Sequence, residues 1–85
     1  MPKSIPSNLK LNRAGDQFLI IVPNYWGKGK TIPEAKLAVK RAGGKLTGQW
    51  VVYSVKGDTV VNDMGGMNYP RAFPPVKIAS NVKEQ

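Results

Sequence analysis

FLIIVPNYWGKGKTIPEAKLAVKRAGG, residues 18–44, is the stretch whose reading decides the fold. Phe18 to Val22 is an uninterrupted apolar run, rich in β-branched residues and too short for a helix, so it predicts a strand covered on both faces. Pro23 ends it, because proline has no N–H to give to a ladder. Asn24 to Lys30 then reads as a glycine-loosened loop leading to a helix. Thr31-Ile32-Pro33-Glu34 fits a capping box, in which the Thr31 hydroxyl accepts a first-turn N–H and Glu34 reaches back. Pro33 is tolerated in that first turn. Ile32, Ala35, Ala38, Val39 and Ala42 recur at helical spacing and form a narrow stripe, small enough to let the helix lie close on a sheet. Gly43 and Gly44 stop it. The expectation is a helix over 32–42, about three turns long.

Working outward, Leu9 and Leu11 alternate with polar residues and predict a short strand that hairpins into the next through Arg13-Ala14-Gly15-Asp16. On the other side, Gln49 to Val55 places Trp50, Val52 and Ser54 on one face and Val51, Tyr53 and Val55 on the other. Neither face is plainly polar, so a central strand is expected, with Trp50 and Tyr53 in the core or in a dimer interface. Lys56-Gly57-Asp58-Thr59 is a turn signal that folds Val60 and Val61 back as a hairpin. Met64 to Pro75 holds two glycines, three prolines, Tyr69 and Phe73 without periodicity, which predicts a long loop packed by its own aromatics. Val76 to Ala79 adds a short edge strand.

The resulting fold class is α+β: a small single domain with one helix on a mostly antiparallel three- to four-stranded sheet, in the order β-β-α-β-β. The domain runs over 9–79, between a flexible N-terminal arm, 1–8, anchored only by Ile5, and a C-terminal tail, 80–85. The sheet face away from the helix needs a cover, which the 64–75 loop or a second copy of the chain would supply. A homodimer therefore enters as one of two options.

Composition narrows the function. Eighty-five residues hold one modest core. With no cysteine and no histidine, the chain lacks thiolates, disulfides, the commonest metal ligand and the commonest general base. Its five carboxylates, Asp16, Glu34, Asp58, Asp63 and Glu84, are scattered and partly committed to a turn and a cap. The expectation is a binding protein and not an enzyme, without cofactor or metal. No secretory-type leader opens the chain and no apolar run approaches the ~20 residues of a membrane span, which predicts a cytoplasmic protein without a membrane partner.

The net charge of +8 points to polyanions, and six of the thirteen basic residues lie between Gly27 and Lys45. Lys28 and Lys30 precede a helix start, where the macrodipole already presents positive charge, and a bound anion would relieve that conflict. Lys36 and Lys40 form a like-charge i,i+4 pair, and Arg41 and Lys45 extend their face. Gly29-Lys30-Thr31 resembles the end of a phosphate-binding P-loop, but the G-x-x-x-x-G-K-[ST] pattern needs glycine where this chain has Asn24. Tyr25 and Trp26 interleave with the basic residues and are placed to stack on unpaired bases; Trp26 alternatively folds over the helix as a lid.

The sequence thus predicts a small nucleic-acid-binding protein, for DNA or RNA. It grips the phosphate backbone with Lys28, Lys30, Lys36, Lys40, Arg41 and Lys45, assisted by Tyr25 and Trp26. The alternative is a protein-interaction module, an inhibitor or adaptor, that docks on an acidic protein partner with Trp26, Tyr69 and Arg71 as anchors.

Overall fold

The computed structural model describes residues 5–62 and 66–82. Among the described residues six strands and one helix follow in the order β1 (Gln17–Val22), β2 (Tyr25–Gly29), α1 (Ile32–Ala42), β3 (Val51–Val55), β4 (Val60–Val61), β5 (Met67–Asn68) and β6 (Val76–Ser80). Four of the strands make one antiparallel sheet, ordered β2-β1-β3-β6, with α1 on one face. This is an α+β domain.

The helix spans the residues its signals predict. Thr31 is the N-cap, and its hydroxyl accepts from the Glu34 N–H at 3.3 Å. The Glu34 carboxylate reaches one residue beyond the cap, to the N–H of Lys30 at 3.0 Å. At the other end Gly43 is left-handed, with φ 107°, while the Gly43 and Gly44 N–H groups donate to the carbonyls of Lys40 and Val39. That is a Schellman closure.

The segment expected to be a loop, 24–30, is instead mostly strand β2. A two-residue turn, Pro23-Asn24, joins it to β1, with Val22 paired to Tyr25. Proline presets the first turn position, and Asn24 tolerates φ 71° at the second. Gly27 and Gly29 face the helix. A Cβ on Gly27 would lie 2.5 Å from the Val39 nitrogen, and one on Gly29 would lie 2.5 Å from the Ala35 nitrogen. The glycines are there because the helix backbone rests directly on the strand, and a side chain would push it off.

Phe18, Ile20 and Val22 of β1 and Val52 of β3 meet Ile32, Ala35 and Val39 of the helix, with Trp50 and Ile5 closing the core. Ile5, the apolar anchor of the expected arm, is fully part of it. Leu9 and Leu11 also pack there, but without forming the strand their alternation predicts. Val60 and Val61 turn back after β3 and pair with β5 in a separate two-stranded ladder, not with the main sheet.

On the face away from the helix Leu19 and Val55 are completely buried. Lys28, paired across from Leu19, donates to the carbonyls of Gly57 and of Thr59, the latter at 2.8 Å. Val61 and Asn62 share a groove with Ile21 and Trp26. The 57–62 segment therefore supplies cover that the sequence assigned to the 64–75 loop or to a second copy. Within that loop the expectation of self-packed aromatics is not met: Tyr69 and Phe73 are exposed. Residues 63–65 lie outside the described residues.

Candidate functional site

Strand alternation sorts the predicted cations. Because Gly27 and Gly29 face α1, Trp26 and Lys28 project from the opposite face of β2. Lys28 is half-buried and holds the turn after β3 by its two carbonyl acceptors. Lys36 is half-buried too, and its ammonium donates to the Ile5 carbonyl at 3.3 Å. The expected row Lys28, Lys30, Lys36, Lys40 is therefore not formed, since two of its members serve internal contacts. Trp26 is also not a lid on the helix, because it lies in the groove with Ile21, Val61 and Asn62 on the far face.

Lys30, Lys40, Arg41 and Lys45 are exposed, and their side chains make no hydrogen bond or ion pair with another described residue. Lys40 and Arg41 occupy the last helical turn, where the negative dipole end stabilises them. Lys30 sits at the opposite end, about 16 Å away for an eleven-residue helix. Glu34 lies at the Lys30 end, where its carboxylate accepts from the Lys30 N–H, and Asp16 is buried and held by Arg13 and Ser54.

Around the helix C-terminus a groove of about 430 Å³ is lined by Val22, Pro23, Tyr25, Gly43, Lys45 and the 47–49 segment. Tyr25 enters it directly from the β1–β2 turn and is 42% exposed. Its ring lies against Gly43, where a Cβ would come within 3.3 Å of the ring carbon Cε1. The far wall is also fixed. Asn81 receives the Trp50 N–H on its side-chain oxygen at 2.8 Å and donates from its side-chain nitrogen to the Gly48 carbonyl at 2.9 Å. Tyr25 and Lys45 are thus brought together, with Lys40 and Arg41 one turn away. The groove that holds Trp26 is lined by neither Tyr69 nor Arg71, the other anchors of the alternative reading.

A second polar cluster escaped sequence reading. Asp16 is 4% exposed, and its Oδ2 accepts from the Ser54 hydroxyl at 2.7 Å and from Arg13 Nε at 2.9 Å. Lys56 lies 3.7 Å from Oδ1. Burial pushes the Asp16 pKa up, but the Ser54 and Arg13 hydrogen bonds and the Arg13 and Lys56 charges outweigh it, so the carboxyl titrates below its ordinary value. Arg13 also donates to the Pro74 carbonyl at 2.9 Å, and Phe73 lies beneath both Arg13 and Lys56. The cluster is a structural clasp between the 12–16 turn, β3 and the 73–74 loop. The Arg13–Asp16 turn was visible in the sequence; its pairing with Ser54, 38 residues on, carries no local signal.

Among the described residues no group of three or more His, Cys, Asp or Glu side chains comes together. No described helix is long and apolar enough to cross a membrane. Compared with known protein families, characterised proteins and solved structures, the chain finds no match.

Proposed function

We propose that this protein binds nucleic acid through the phosphate backbone, using Lys30, Lys40, Arg41 and Lys45. The observation that carries the reading is that these four cations are exposed on one helix and its flanking residues, and that among the described residues their side chains make no hydrogen bond or ion pair, in a chain of net charge +8. Exposed cations whose side chains are not spent on internal partners are free to neutralise phosphates. The role is binding and not catalysis. Asp16, the buried carboxylate among the described residues, is spent on Arg13, Ser54 and Lys56.

The test is fluorescence anisotropy with labelled oligonucleotides across a salt series. Four phosphate contacts on duplex DNA give a slope of log affinity against log salt near about −3.6, roughly 0.9 per contact. Replacing Lys40, Arg41 and Lys45 together by glutamine should flatten the slope by about 2.7. Lys28→Gln should leave it unchanged, because that ammonium is already held by two carbonyls. Salt-independent binding, or a slope that responds to Lys28 and not to the triple variant, would reject the proposal. An acidic protein partner would use the same cations; in that case salt mainly alters the association rate, and oligonucleotides show no titratable binding.

A further inference from the structure

We infer that the groove beside Tyr25 receives an unpaired nucleobase, so that the surface takes single-stranded nucleic acid in preference to duplex. This rests on the nucleic-acid reading above and adds to it the form of the ligand.

Three features of the groove converge on that occupant. The first is an aromatic platform that is exposed yet held. The Tyr25 ring lies on Gly43, and a Cβ on Gly44 would fall 3.0 Å from both Tyr25 Cβ and Val22 Cγ2. Helix end and hairpin turn thus fix the tyrosine from below while leaving it 42% exposed. A platform ordered before binding loses little entropy when a base stacks on it.

Shape is the second feature. About 430 Å³ lies within the range of small-ligand clefts, roughly 300–1,000 Å³, and suits one base with part of its sugar. Val22 and Pro23 supply apolar wall, and Thr47 and Gln49 supply hydrogen-bonding groups of the kind that meet a base edge.

Charge is the third. Lys45 lines the groove itself, and Lys40 and Arg41 stand in the adjoining helical turn. A base in the slot brings its own phosphates to that rim, so the cations and the aromatic platform serve one ligand. In a duplex the bases are stacked and paired, and only the rim contacts remain available.

The experiment compares a short oligothymidylate with a mixed-sequence duplex of the same length, at one salt concentration, on the full chain. Wild type should bind the single strand more tightly. Tyr25→Ala should lower single-strand affinity about tenfold, within the range of one lost base–aromatic stack, and leave duplex affinity unchanged. Tyr25→Phe should retain the preference. Gly48→Val provides an independent block: Gly48 lines the groove and a Cβ there meets nothing within 4 Å, so the valine adds bulk at the groove wall without a clash. It should abolish the preference in the same way, and it decides the matter if Tyr25→Ala does not fold. If wild type binds duplex at least as tightly as the single strand, or if either variant folds and keeps the preference, the groove inference is overturned while the backbone reading stands. If wild type binds neither probe, both are overturned.

Discussion

Gly27 and Gly29 show how a residue can be read correctly as a type and wrongly as a purpose. Paired with lysines before a helix, they suggest a flexible phosphate-cradling loop. In the fold they are two strand positions where the backbones of β2 and α1 touch. The distinction is measurable. Gly27→Ala places a methyl 2.5 Å from a backbone nitrogen that cannot rotate away, an overpacking cost of about 1–3 kcal/mol. In a domain of this size that corresponds to a fall in Tm of roughly 10 °C. Gly48→Ala, with open space around its Cβ, should stay within about 2 °C of wild type by the same thermal melt. A flexible-loop role for the 27–29 segment would instead leave Gly27→Ala near neutral.

At the scale of elements, α1 was legible because everything that defines it is local: cap, stripe and glycine stop all lie within one short window. Strand β2 was not, because Gly and Lys have poor strand propensity and its stability comes from pairing with β1 and from the helix above it. Leu9 and Leu11 misled in the opposite direction, since alternation records burial on one side and not the presence of a ladder partner. For the candidate site, Lys30, Lys40, Arg41, Lys45 and Tyr25 were visible as exposed types in sequence. The internal contacts of Lys28 and Lys36 were not legible, because their partners, at Gly57, Thr59 and Ile5, are remote backbone carbonyls that no side-chain pattern announces. The Lys28 contact predicts an effect on the element it serves. Lys28→Met should cost about 1 kcal/mol in urea denaturation and speed amide exchange at Val60 and Val61, whereas Lys30→Gln should change stability by less than about 0.5 kcal/mol.

Across the whole molecule the Asp16 clasp joins segments that the chain visits far apart, and it makes stability pH-dependent with a definite sign. A carboxyl whose pKa is lower folded than unfolded contributes stability in full above its ordinary value, about 3.8 in an unfolded chain. That contribution disappears as pH falls through the lower folded value. Asp16→Asn should therefore be less stable than wild type by about 2 kcal/mol at pH 7, the scale of a hydrogen bond to a charged group. The gap should narrow progressively in urea melts as pH falls below about 4. A gap of the same size at every pH would show that the charge on Asp16 is not what holds the clasp.

The strand order β2-β1-β3-β6 leaves two strands without an outer neighbour, and both carry a lysine within the strand, Lys28 in one and Lys77 in the other. Beside β6 the pairing slips out of register between Val52 and Tyr53. A border that breaks step is a poor template for a further strand. The break in step beside β6 thus also works against the sheet growing there, copy upon copy, into an aggregate.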